Sequence, residues 1–165
     1  MKKILLGLIV CVALCGVAAA EQEWLTDASQ AQGLAQKENK LVMLDFTGSD
    51  WCIWCKKLHN EVFSTSEFQD YANKNLVLVT VDFPRQKKLS EEQTKANKEL
   101  AQKYNIKGYP TVIVLNGDGK KVGELSYSDG MTAEDTKEFQ TNHKEPKAKP
   151  ATFIAALDKV KEKAK

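Results

Sequence analysis

The chain has 165 residues, enough for one domain and short of two. Hydrophobic residues make up 42% of it, the formal net charge is +2 and there are four cysteines. This ordinary globular composition excludes a disordered, collagenous or coiled-coil chain, and the charge gives no reason to expect nucleic acid as a partner. Four cysteines are compatible with two disulfides, a Cys₄ metal site or scattered thiols, so their placement decides.

Residues 1–20 read MKKILLGLIVCVALCGVAAA. A basic start, an uncharged apolar run and a small-residue exit form the three-part pattern of a secretory signal peptide cleaved before Glu21. An uncleaved membrane anchor is the competing reading, disfavoured because the apolar run is short for spanning. A lipoprotein form starting at Cys15 is a minor alternative, because Leu14 stands where such sites want a small residue. Removing 20 of 165 residues leaves 145, and removing Lys2 and Lys3 leaves 22 basic residues against 22 acidic ones. Cys11 and Cys15 leave as well. The expected mature chain is one neutral domain, 21–165, with Cys52 and Cys55 as its cysteines, in a compartment where disulfides persist.

In chain order, Asp27 is a helix cap, and the helix runs to Glu38 with Ala28, Ala31, Leu34 and Ala35 on one face and Gly33 weakening it. Residues 41–46, Leu-Val-Met-Leu-Asp-Phe, read as a strand buried on both faces. A helix is predicted from Cys52 to about Asn60. Residues 66–69, Ser-Glu-Phe-Gln, form a capping box for a helix carrying Phe68, Tyr71 and Ala72. Residues 76–83 are the strongest strand signal, stopped by Pro84. Ser90 opens a helix with Ala96 and Leu100 inward. Residues 111–115, the turn Asn116-Gly-Asp-Gly119 and residues 121–127 form a hairpin. A modest helix over 131–140, a polar connector over 143–150 and a last helix opened by Pro150, with Phe153, Ile154, Leu157 and Val160 inward, complete the chain. Two strands joined through helices pair in parallel and the hairpin adds an antiparallel pair, giving a mixed sheet between helices.

Cys52-Ile53-Trp54-Cys55 follows a buried strand and opens a helix. A spacing of three places both sulfurs on the first helical turn, close enough to bridge. Unpaired N–H groups and the partial positive charge of a helix N-terminus stabilise a thiolate on Cys52, the cysteine expected to be more exposed. The chemistry this supports is two-step exchange, in which Cys52 attacks and Cys55, one turn further in, resolves. A permanent disulfide is the first alternative, although closing so short a loop removes little unfolded-chain entropy. Metal binding is the second, although zinc wants four ligands and His59 and His143 lack paired spacing. Haem attachment needs His where Lys56 stands.

Trp51-Cys52-Ile53-Trp54-Cys55-Lys56 after a strand ending in Asp-Phe resembles the active site of the thioredoxin superfamily. Ile106-Lys107-Gly108-Tyr109-Pro110-Thr111, which starts 55 residues after Trp51, matches the second landmark of that superfamily. The resemblance covers about Trp24 to Tyr127 and extends to the last helix, and it is most similar to exported bacterial thioredoxin-like proteins. It implies an α/β thioredoxin-like fold with a central mixed sheet of about four strands flanked by helices on both faces. It also implies a cis bond before Pro110, facing the cysteines, with the Tyr109 backbone pairing with an extended substrate peptide. Asp45 matches the buried acid beneath the second cysteine, which would relay a proton to or from Cys55.

The chain departs from thioredoxin in three places. One extra residue, Gly48 or a neighbour, lies between Asp45 and Cys52. Leu78 stands where thioredoxin has the lysine partner of its buried acid. Ile53-Trp54 replaces Gly-Pro, so Trp54 offers a face to partner peptides while Trp51 shields the disulfide. The lack of a His between the cysteines, where strong oxidants and isomerases of the superfamily often carry one, argues for a reducing or mid-range potential.

The sequence therefore reads as a periplasmic thiol–disulfide oxidoreductase that reduces protein disulfides. Cys52, Cys55 and Asp45 are the catalytic candidates, and Trp51, Trp54, Tyr109 and Pro110 the substrate-contacting ones. No cofactor and no metal is expected, and the expected partners are disulfide- or thiol-bearing proteins and a membrane electron donor, with the chain monomeric. The competing class is a binding module, or a soft-metal (Cu(I)) carrier using the same pair without turnover. His59, His143, Lys56, Lys57 and the lysines of the tail read as solvated surface.

Overall fold

The computed structural model describes residues 23–143 and 145–164. The expected signal segment, Cys11 and Cys15 lie outside them. Helix α1 (Ala28–Glu38) starts where the Asp27 carboxylate accepts the N–H groups of Ser29 and Gln30, and it stops at Asn39 in the left-handed region. Strand β1 (Leu41–Thr47) is buried along its whole length. Next come α2 (Ile53–Leu58), a π-helical turn (His59–Phe63), α3 (Ser66–Asn75), β2 (Leu76–Asp82) and α4 (Glu91–Lys103). The chain closes with β3 (Thr111–Leu115), β4 (Lys121–Leu125), a 3₁₀ turn (Tyr127–Gly130), α5 (Ala133–Asn142) and α6 (Pro150–Lys163).

The sheet order is β2-β1-β3-β4. β1 pairs with β2 in parallel and with β3 antiparallel, and β3 and β4 form the hairpin. Leu25 adds an isolated bridge along the outer edge of β2, opposite Val79. This is the mixed sheet expected from the pattern of apolar runs.

The period of two along each strand divides the core into two layers. Met43, Leu78, Val112 and Val114 point to one face, where Leu58, Phe63, Phe68, Phe153 and Leu157 cover them. Leu44, Phe46, Val79, Val81 and Ile113 point to the other, beneath Ala31 and Ala35. Phe63, Phe68 and Phe153 meet ring to ring within 5.0–6.4 Å. Burying each contributes roughly 1.5–3 kcal/mol. Gly123 lets α6 lie close on β4, since a Cβ there would sit 2.5 Å from a Val160 methyl.

Three local expectations are corrected. The cap of α3 is Thr65, whose hydroxyl accepts the Phe68 N–H, and Ser66 is already helical. The helix after Cys52 continues through the π turn to Phe63, which brings Val62 and Phe63 both into the core. On α4 the buried residue is Asn97, not Ala96, because its amide donates to the Asp82 carbonyl at 2.8 Å. No described helix is long and apolar enough to cross a membrane.

Candidate active site

Residues 45, 47, 80 and 82 follow the period of β1 and β2 onto the sheet face that carries α2. Cys52 is the N-cap of α2, with extended backbone, and Cys55 lies on its first turn. The two are joined in a disulfide with Cα atoms 5.3 Å apart. The Cys55 N–H donates to Cys52 Sγ at 3.2 Å. Both cysteines are only 6% exposed, so Cys52 is not the more exposed of the pair. The disulfide folds Cys52 Sγ back over the first turn, where it accepts that N–H. Beside it, Ile53 at 67% and Trp54 at 37% exposure form an apolar surface.

The chain between Asp45 and Cys52 closes in a tight turn. The N–H groups of Trp51 and Cys52 both donate to the Gly48 carbonyl, at 3.2 and 2.8 Å. Gly48 is required there, because a Cβ would lie 2.5 Å from Cε2 of Trp51. The turn is tied to the end of β2. Asp82 accepts from Ser49 N at 2.9 Å and from Ser49 Oγ at 2.6 Å. Trp51 Nε1 donates to the Phe83 carbonyl at 2.8 Å. The Asp50 carboxylate accepts the N–H groups of Arg85, Gln86 and Lys87, which hold its carboxyl below the usual range. The Arg85 guanidinium lies 3.9 Å over the Trp51 ring.

Trp51 also meets Tyr109 edge to face at 5.8 Å, and Tyr109 meets Phe83 at 5.4 Å. The Tyr109–Pro110 peptide is cis and Pro110 is buried. The residue before Cys52 thus touches the residue before the cis proline. The Trp54 ring lies 5.1 Å from the Tyr127 ring, with Lys57 Nζ 5.3 Å from its centre.

Asp45 is 9% exposed, and its Oδ1 has no hydrogen-bond partner. Burial, and then the charge of Asp82, push its pKa up to about 7. It faces a cavity of about 450 Å³ whose lining includes Trp24, Thr47, Cys55, His59 and Thr80. His59 is exposed as expected, yet it also stands on the rim of that cavity. His143 ends α5 far along the chain with positive φ. No cluster of three or more His, Cys, Asp or Glu suited to a metal occurs among the described residues.

Sequence reasoning missed Ser49, Asp50, Asp82 and Arg85. The acids carried no local signal, because their partners lie 33–37 residues away in the chain.

A helix-capping Cys-x-x-Cys disulfide and a cis X–Pro bond immediately before β3, on a four-stranded mixed sheet, define the class of thioredoxin-fold redox domains. A thioredoxin-like domain model matches residues 28–140, and the chain belongs to that family. It is 35% identical over 114 residues to the disulfide bond reductase DsbH of Chlamydia pneumoniae, covering 69% of this chain and 68% of that protein. It is 34% identical over 101 residues to the thiol:disulfide interchange protein DsbD of Pasteurella multocida (strain Pm70), covering 61% of this chain and 16% of DsbD. A solved structure of a DsbH oxidoreductase superposes with a TM-score of 0.69 at 30% identity, over 90% of this chain and 88% of the other. The family and these relatives place the chain among thiol–disulfide oxidoreductases.

Proposed function

We propose that the chain is an exported, periplasmic disulfide reductase acting on proteins. The observation that carries this reading is the Cys55 N–H donating to Cys52 Sγ at the start of α2. In the reduced protein the same N–H and the helix terminus stabilise a Cys52 thiolate. That thiolate attacks one sulfur of a substrate disulfide, and the other substrate sulfur leaves as a thiolate. Cys55, losing its proton to Asp45, then attacks Cys52 Sγ and expels the second substrate thiolate. The substrate is reduced by two electrons and Cys52–Cys55 becomes the disulfide. A dithiol donor, supplied from the membrane, returns the two electrons.

In this reading the Tyr109 backbone, beside the cis Pro110, pairs with an extended substrate peptide, and Trp51 and Trp54 flank its path. No His between the cysteines, and 35% identity to a protein named as a disulfide bond reductase, support the reducing direction. The signal-like segment 1–20 supports export.

The test is a redox titration of the Cys52–Cys55 couple in glutathione buffers, paired with turnover on a disulfide-bonded protein. A potential below about −200 mV and turnover abolished in Cys52→Ser support the reading. A potential near about −120 mV, that of protein oxidants, overturns the reductase direction. Partner or Cu(I) binding without turnover would favour a carrier.

A further inference from the structure

We propose that the loop after β2 is a substrate-selecting shelf that takes acidic side chains flanking the substrate cysteine. This rests on the exchange reading above and goes beyond it by giving the substrate a charge.

The loop, Pro84-Arg-Gln-Lys-Lys88, carries three cations in four residues. A bare segment of that charge would be held away from a basic neighbour and left mobile. Here three consecutive N–H groups of the loop close on the Asp50 carboxylate, two residues before Cys52. The backbone satisfies Asp50, so its negative charge is turned to holding the loop and the loop's own side chains remain outward. Arg85, Lys87 and Lys88 are exposed, and the first is fixed over Trp51 at 3.9 Å.

Behind the loop lies a groove of about 410 Å³ against α4, where Lys98 joins Arg85, Lys87 and Lys88. None of these four cations forms an ion pair with a carboxylate among the described residues. The carboxylate in the groove wall is Asp82, which is buried and accepts with both oxygens from Ser49. Four unpaired cations converging on one groove create a positive potential that attracts and orients an anion.

Two observations favour carboxylates of a polypeptide. The shelf is joined through Arg85 to the aromatic group of Trp51, Phe83 and Tyr109, and Trp51 directly precedes Cys52, so a peptide bound at Cys52 is within reach of it. The segment 21–165 carries as many acids as bases, so no net positive charge adds to the groove in attracting a nucleic-acid backbone.

The experiment uses one disulfide-bonded peptide in three versions, with Glu, Ala or Lys beside the cysteine, each reduced by the dithiol protein. At low salt the Glu peptide is expected to react about tenfold faster than the Lys peptide, and the ratio to fall toward one at about 0.5 M salt. In the Lys87→Glu/Lys88→Glu double variant the ratio is expected to reverse. The readout is a ratio of rates on one protein, so a general loss of activity in the variant cancels. Equal rates at low salt, or a ratio unchanged in the variant, overturn the shelf. Wild-type protein that reduces none of the three peptides overturns the exchange reading instead. In that event, versions with serine in place of cysteine, titrated by tryptophan fluorescence, test the shelf alone: tightest binding of the Glu version supports it and equal binding overturns it. Tighter binding of a single-stranded oligonucleotide than of the Glu version also overturns it, in favour of nucleic acid.

Discussion

Asp45 and Asp82 lie on the same face of neighbouring strands, and the charge of Asp82 adds to burial in raising the proton affinity of Asp45. Leu78, fully buried, occupies the strand position where a lysine would have offset that charge. Asp45 titrates at about 7 in the folded protein and near the ordinary aspartate value of 3.8 when unfolded. Below about pH 4 both states hold the proton and no stability is lost. Between about pH 4 and pH 7 the folded state holds a proton that the unfolded state has released, so stability falls as pH rises. Above pH 7 the loss is complete, and a proton affinity raised about a thousandfold corresponds to about 4 kcal/mol. Asp45→Asn is therefore expected to raise the melting temperature of the disulfide form at pH 8 far more than at pH 4. An equal change at both pH values would show that Asp45 is not a buried titrating acid.

The same titration governs catalysis under the proposed function. Cys55 must lose a proton before it attacks Cys52, and Asp45 accepts one only when ionised, above about pH 7. Resolution of a mixed disulfide at Cys52 is expected to speed up as pH rises through about 7. In Asp45→Asn that rise disappears and resolution slows about tenfold or more near neutral pH, within the range of general-base effects. Rapid-quench kinetics of the mixed disulfide measures the step by itself. A rate and profile unchanged from wild type would remove Asp45 from the relay.

Gly48 shapes the turn that leads from β1 to Cys52. The indole of Trp51 covers Gly48 while its Nε1 is held by the Phe83 carbonyl and its face by Arg85. Gly48→Ala puts a methyl 2.5 Å from a ring that the Phe83 carbonyl and Arg85 hold in place. The expected cost is about 1–3 kcal/mol, the range for overpacking. Trp51 must leave its place for the methyl to fit, so near-UV circular dichroism should change together with the denaturation midpoint. An unchanged spectrum would show that the turn relaxes instead.

Much of this was legible in the sequence, for reasons that differ by element. β1 and β2 announced themselves because strands covered on both faces must be apolar throughout. Asp27 and Ser90 announced themselves because a cap bonds within its own first turn. The Cys52–Cys55 pair was legible for the same reason of locality. Thr65 and Ser66 are both capping types, and one residue of register separates them, which composition does not resolve. Asn97 was hidden because its burial depends on a carbonyl 15 residues upstream. Asp50, Asp82 and Arg85 were hidden because a charged residue in a polar loop looks solvated until the loop it binds is brought to it.

The segment before α6 is docked beside the site by groups that share one carboxylate. The Tyr127 hydroxyl lies 2.7 Å from Glu61 Oε2 and 2.9 Å from the Pro146 carbonyl, and the Ala148 N–H donates to the same Glu61 oxygen at 2.8 Å. Burial and the Glu61 carboxylate raise the Tyr127 pKa beyond its ordinary value, so the hydroxyl stays a donor at every pH the protein meets. Tyr127→Phe keeps the ring that packs on Trp54 and removes only the hydroxyl. The half-buried carboxylate of Glu61 then loses one donor, at an expected cost of about 1.5–3 kcal/mol for a hydrogen bond to a charged group. The loss should be the same at pH 6 and pH 9, because the hydroxyl keeps its proton across that range. Hydrogen exchange at the Ala148 amide should accelerate in step with the fall in stability. An amide that stays as protected as in wild type would mean that Glu61 alone holds the segment, and that the tyrosine serves only as a ring beneath Trp54.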